Sequence, residues 1–344
     1  MEIWQRVNEL VDRADSVTAL HAHRLHLYAA WHWRSLGRQV PDELVELERG
    51  AAVQRLAAPA LLRHVRNAYD GPMLLLKGAE VAARYPKPEL RPSLDLDLLV
   101  PDARAAQKAL VAGGFAEHEA FHPGDHHHLP GLEWPGAMMR VEVHSTPSWP
   151  TWLTPPSTDE LFEAATSESV VGHGILALPP AHHALIVTAH MWREIPLSRL
   201  GQLIDVRVLA READPEEIDR LASRWGLQRL WTTTDRTARR VLDGEPQQGR
   251  AGRPRAKRLE TVSEATVLEA KIAELAAPFR GLPPGKALVA AARELLSELR
   301  PQPEETWRGK ITRTAGALRQ SSRARSARDR ELETHNKSGK SQLN

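Results

Sequence analysis

Two aspartates one residue apart, in Leu94-Asp95-Leu96-Asp97-Leu98-Leu99-Val100, are the first residues in this chain suited to chemistry. Strand alternation puts Asp95 and Asp97 on one face and Leu94, Leu96 and Leu98 on the other, toward a core. Carboxylates side by side on a buried strand repel each other and lose solvation, and a divalent cation is the simplest compensation. A bare Asp-x-Asp also fits a solvent-facing edge strand, so a third acid is needed to separate the two readings. Met139-Arg140-Val141-Glu142-Val143-His144 is a second alternating strand, with Arg140, Glu142 and His144 on the face away from Val141 and Val143. If this strand pairs beside the first, Asp95, Asp97 and Glu142 form a cluster able to hold two Mg²⁺ ions about 3.5–4 Å apart, the arrangement of two-metal phosphoryl transfer. Because the aspartates repel, their amide isosteres are expected to leave the fold intact or firmer.

These strands need neighbours to hold them. Asp70-Gly71-Pro72 is a turn signal, followed by a short buried strand at Met73-Leu74-Leu75-Leu76 and a short helix after Lys77-Gly78-Ala79-Glu80 that the prolines at 86 and 88 must end. Asp102 caps a helix closed at Gly113-Gly114, and two strands, His126 to Glu133 and Met138 to His144, are joined through Pro135-Gly136. The alternation predicts an α+β protein: a small α/β core with a mixed sheet, flanked by N-terminal helices and a C-terminal helical domain. The expected divisions are an N-terminal helical segment at 1–70, the core at 71–156, the helical domain at 157–307 and a basic tail at 308–344. Helices are expected over Ala181 to Glu194, Leu197 to Glu212, Pro215 to Trp225, Leu227 to Leu242, Glu260 to Ala277 and Pro284 to Leu299, among others.

With 42% hydrophobic and 26% charged residues among 344, the composition is that of a globular protein with ample length for a core. The absence of cysteine excludes disulfides, thiolate zinc sites and a cysteine nucleophile, and leans toward a reducing, cytoplasmic compartment. No signal-peptide pattern and no membrane-length apolar run is present, so no membrane association is expected. Residues 308–344 hold ten Lys/Arg against three Asp/Glu, a net +7; the remainder, with 36 basic and 41 acidic residues, is at −5. An acidic body is unlike a dedicated nucleic-acid-binding domain. The tail is expected to be disordered and to offer polyanions a salt-sensitive contact.

Other groupings are weaker. Adjacent strand residues face opposite ways, so within His126-His127-His128 at most His126 and His128 can share an ion. His183 and His190 share a helix face and suit interhelical hydrogen bonds or the wall of a pocket. Most of the ten tryptophans suit a core, with Trp149 and Trp152 placed to line a cleft. Ser145 and Ser148 lie near His144, but no Gly-x-Ser-x-Gly turn supports a hydrolase.

Taken together, Leu76-Lys77-Gly78-Ala79, Leu90-Arg91-Pro92-Ser93-Leu94-Asp95-Leu96-Asp97-Leu98-Leu99-Val100 and Val141-Glu142-Val143-His144 resemble the uncharacterised bacterial nucleotidyltransferase family of the DNA polymerase β-like superfamily. The resemblance extends to His183 through His190 and to Leu203-Ile204-Asp205, covering roughly His21 to Leu242. It implies a Mg²⁺- or Mn²⁺-dependent enzyme in which Asp95, Asp97 and Glu142 are the catalytic metal ligands. Lys77, Gly78, Ala79, Arg91 and Ser93 would serve an NTP such as ATP, and His144, His190 and Asp205 an acceptor pocket. Gly78 suits close approach of backbone N–H groups to phosphate, and the helix start after it favours anions. Many superfamily members have Ser where Ala79 stands, which removes a hydroxyl contact here. Lys77 and Arg91 would neutralise phosphate charge, or instead pair with carboxylates.

The expected reaction is transfer of NMP from an NTP to a hydroxyl or phosphate of an acceptor (small molecule, protein or RNA), with release of pyrophosphate. The alternatives are a non-catalytic nucleotide- or partner-binding protein on the same fold, and a nucleic-acid binder driven by the tail.

Overall fold

The computed structural model describes residues 3–93, 95–117, 127–137, 139–165, 167–245, 253–299, 306–310 and 312. The expectations for Leu94, His126, Met138 and nearly all of the basic tail therefore fall outside the described residues. Two compact units are present, Met1–Glu264 and Ala265–Asn344.

The first unit is built on one mixed seven-stranded sheet. In chain order its strands are β1 (Met73–Leu75), β2 (Asp95–Leu99), β3 (Ala116–Glu117), β4 (Leu132–Glu133), β5 (Arg140–His144), β6 (Ser167–Glu168) and β7 (Ile175–Ala177). Across the sheet the order is β3-β4-β5-β2-β1-β7-β6. The β1–β2 pair is antiparallel, whereas β2–β5 and β1–β7 are parallel. The mixed α+β architecture is the one expected. The periodicity predicts no strand beyond His144, whereas β7 pairs directly with central β1.

The helices of this unit are α1 (Ile3–Val11), α2 (Val17–Ala22), α3 (His26–Ser35), α4 (Asp42–Ala68), α5 (Ala79–Ala82), α6 (Ala103–Ala112), α7 (Thr158–Ala164), α8 (Pro180–Arg193), α9 (Leu200–Ala210), α10 (Pro215–Arg224), α11 (Gln228–Ala238) and α12 (Arg253–Thr261). One face of the sheet is apolar: Leu96 and Leu98 of β2 and Val141 and Val143 of β5 pack with Leu61, Leu62 and Val65 of α4 and with Ala106 and Leu110 of α6. Burial of each of these large side chains contributes about 1.5–3 kcal/mol. Because alternation is strict, the same burial turns Asp95, Asp97, Glu142 and His144 to the opposite face. None of the described helices is long and apolar enough to cross a membrane.

The expected helix from Glu260 to Ala277 is broken. α12 ends at Thr261, Val262 takes a left-handed φ of 48°, and a new helix starts under a capping box formed by Thr266 and Glu269. That Thr-x-x-Glu pattern is a helix-start signal inside a run whose apolar period is otherwise continuous. The second unit contains α13 (Val267–Ala276), α14 (Pro278–Gly281) and α15 (Pro284–Leu299), which bury Ala273, Ala277 and Ala287.

Candidate active site

β5 lies parallel beside β2 with Asp97 opposite Glu142 and Asp95 opposite Arg140. One ligand atom from each of Asp97, Glu142 and His144 lies within 4.8 Å of the other two. Asp95 joins the group through Lys77, whose Nζ is 3.6 Å from Asp95 Oδ2 and 3.1 Å from Asp97 Oδ1. Lys77 is there because β1 ends beside β2: the Leu76 N–H donates to the Asp97 carbonyl at 3.1 Å, placing the next residue over the paired acids.

Three carboxylates therefore face two cationic donors. The Nε2 of His144 lies 3.1 Å from Asp97 Oδ1 and 3.6 Å from Glu142 Oε2. The environments of the two aspartates diverge. Burial and the neighbouring Asp97 charge push the Asp95 carboxyl up, against the pull of Lys77. Burial also acts to raise Asp97, but Lys77 and the hydrogen bond to His144 outweigh it and hold that carboxyl well below the usual carboxylate range. Glu142 is lowered too, because the neighbouring His144 overcomes burial. His144 itself is raised, since burial is outweighed by the hydrogen bond to Asp97 and by the nearby Glu142 carboxylate.

Asp97 is only 2% exposed, yet its Oδ2 has no hydrogen-bond partner among the described residues. An ionised oxygen left bare in a buried site is costly, and a divalent cation held by Asp97, Glu142 and His144 would satisfy it. The donor set fits a divalent ion, with His144 adding an imidazole to the expected carboxylates. No sequence signal separated His144 from an acceptor-pocket role; its place one strand repeat beyond Glu142, on the same face, was the available cue.

Arg91 does not face this cluster with a free fork. Its Nε and Nη2 donate to Asp205 Oδ1 and Oδ2 at 2.9 Å each, Tyr85 OH donates to the same carboxylate at 2.8 Å, and both partners of the ion pair are buried. The third guanidinium nitrogen, Nη1, reaches the Gly78 carbonyl at 3.4 Å. Asp205 of α9 thus sets the arginine that steadies the glycine turn. Ser93 Oγ donates to the Asp95 carbonyl at 3.2 Å, and Ala79 opens α5 against the apolar core.

Gly78 has φ 78° and ψ −117°. A Cβ there would meet only Ser93 Oγ, at 3.6 Å, so space is not the constraint. The backbone is, because L-residues rarely occupy this region. Gly78→Ala is expected to lower stability in urea denaturation by about 1–3 kcal/mol; an unchanged midpoint would show that the turn relaxes freely.

A cleft lies over this face, lined by Arg24, Lys77, Arg91, Asp97, His144 and Ser148 and by residues of α8 and α9. His190 is among them and pairs with Glu194 at 3.2 Å. His183 is buried instead, its pKa pushed down to about 3 by desolvation. Trp149 and Trp152 do not line the cleft; Trp149 is buried with its ring edge-on to Trp225. The rings of His127 and His128 sit 5.5 and 5.4 Å from that of His144.

A family described as uncharacterised nucleotidyltransferase matches residues 10–243, a span that holds the sheet, the acidic cluster and the cleft. No curated protein and no solved structure matches the chain.

Proposed function

The chain belongs to the uncharacterised nucleotidyltransferase family, and we propose that this transferase moves an NMP from an NTP to a hydroxyl or phosphate oxygen of an acceptor. The observation that carries the proposal is the buried Asp97 with its bare Oδ2 beside Glu142 and His144. Bound Mg²⁺ or Mn²⁺ would supply charge stabilisation at the attacking and leaving oxygens. Asp95, Asp97 and Glu142 would provide the carboxylates that hold it, and His144, which stands beside Asp97 and Glu142, would add an imidazole. Glu142, the more exposed of the β2–β5 acidic pair, takes the proton from an acceptor hydroxyl. The acceptor oxygen then bonds to the α-phosphorus, the bond to the bridging oxygen breaks, and pyrophosphate leaves. The turn at Gly78 and its neighbours Lys77, Ala79, Arg91 and Ser93 form the nucleotide side, where Asp205 holds Arg91 in place, with His190 toward the acceptor. The parallel β2–β5 pair carrying the acids supports placing the family within the DNA polymerase β-like superfamily. The net +7 of residues 308–344 supports a secondary polyanion contact.

The direct test is incubation of the full chain with each α-labelled NTP and Mg²⁺ or Mn²⁺ in a cell lysate. Label should appear on an acceptor together with released pyrophosphate. If no NTP labels anything with either metal, the reading fails.

A further inference from the structure

Of the three Lys and Arg side chains lining the cleft, two are already engaged: Lys77 by Asp95 and Asp97, and Arg91 by Asp205. The third, Arg24, is half-buried in the same wall, and its guanidinium makes no hydrogen bond or ion pair with any described residue. Its backbone is also unusual. Arg24 follows α2 with φ 59°, and the Leu25 N–H donates to the Leu20 carbonyl at 2.8 Å across it. This is the helix-terminating geometry in which the left-handed position is ordinarily glycine, since a side chain there adds strain and nothing to the turn.

The surroundings hold that turn firmly. The Leu200 N–H donates to His23 Nδ1 at 3.0 Å, so Nε2 carries the ring proton and donates to the Ser263 carbonyl at 2.8 Å. The Gly201 N–H donates to the His23 carbonyl at 2.9 Å. A Cβ on Gly201 would lie 2.9 Å from that carbonyl oxygen and 3.1 Å from Arg24 Cβ, so α9 can pack this closely only through a glycine. A side chain is thus retained where the turn prefers none, braced from two sides, and directed to a cleft whose other cations are taken. Strain kept in place at a binding surface points to function.

We propose that Arg24 binds the polyphosphate of the nucleotide, as the cation that the N-terminal helices contribute to the cleft. The proposal rests on the nucleotidyltransferase reading and adds a phosphate contact outside the glycine turn. A guanidinium fork matches paired phosphate oxygens, and here it has no carboxylate to give up before binding them.

The test uses the full chain and isothermal titration with magnesium tripolyphosphate, comparing Arg24→Lys with Arg24→Met. Both keep the left-handed strain and a long stem, so the difference between them reads charge. Affinity should fall about tenfold or more in the methionine variant and by clearly less in the lysine variant. Arg24→Gly should lose binding as the methionine variant does, with its melting temperature unchanged or raised, and the NTP KM should rise in all three in the same order. Equal tripolyphosphate affinity in the methionine and lysine variants, or unweakened binding in Arg24→Gly, overturns the proposal while leaving nucleotidyl transfer standing. A wild-type chain that neither binds tripolyphosphate nor transfers label overturns both.

Discussion

Asp97→Asn is expected to lower metal-dependent NMP transfer by three orders of magnitude or more, the loss of about 4 kcal/mol of transition-state stabilisation. Asp97 is the point where the cluster meets: Oδ1 takes Lys77 and His144, and Oδ2 is the bare oxygen. An amide there offers a neutral oxygen and a misplaced donor, so it can neither hold a cation nor balance Lys77. Stability should respond as well, and oppositely for the two aspartates. The carboxyl of Asp97 is held below its ordinary value of 3.8, so its contribution is present above that pH and is lost as pH falls. The stability deficit of Asp97→Asn in urea should therefore be largest near neutrality and narrow in acid. Asp95, pushed up by burial and by Asp97, costs stability when it ionises, and Asp95→Asn should be as stable as the wild type or firmer at pH 7. The relief of repulsion expected from the sequence thus applies to Asp95 alone. An Asp97→Asn enzyme within tenfold of wild type would remove Asp97 from the chemistry.

Lys77→Met should destabilise the protein by about 3–5 kcal/mol in metal-free buffer, because it leaves Asp95 and Asp97 facing each other without their shared ammonium. Divalent cation should restore much of the loss. A ligand at a hundred times its Kd adds about 2.7 kcal/mol, and in the variant the Lys77 ammonium no longer competes with it. Thermal melts with chelator and with Mn²⁺ decide the matter. The Mn²⁺-induced rise in melting temperature should be larger for Lys77→Met than for wild type. A variant that melts low and stays low in Mn²⁺ would show that the acids serve Lys77 and hold no ion.

Much of this site was legible because its periodicities are local. Asp95, Asp97 and Glu142 stand out on leucine and valine strands of period two, and the same alternation separates core from cleft. What the sequence withheld depends on distance along the chain. Strands β3 and β6 are two residues each, too short to carry a period, whereas β4 falls inside the strand expected to pair with β5; β7 becomes a strand only because β1 offers it an edge. Local sequence shows the charge of Lys77 and Arg91 but cannot choose between phosphate and carboxylate partners, because Asp205, which pairs with Arg91, lies more than a hundred residues away. Arg24 gave no signal at all, since a left-handed residue that is not glycine looks like any other helix-end arginine.

The pairing of Met73 with Ile175 also governs the order in which the molecule can be assembled. As the chain leaves the ribosome, β1, β2 and β5 can associate once His144 has emerged, while the far edge of β1 waits for about thirty further residues, until Ile175. During that interval a central, fully apolar strand presents unpaired N–H and C=O groups to any other nascent chain. The late strand leads directly into α8, which brings the cleft wall with it. Closure of the sheet and completion of the cleft are thus one event in synthesis, and a prematurely terminated chain would lack the cleft wall and keep the exposed edge.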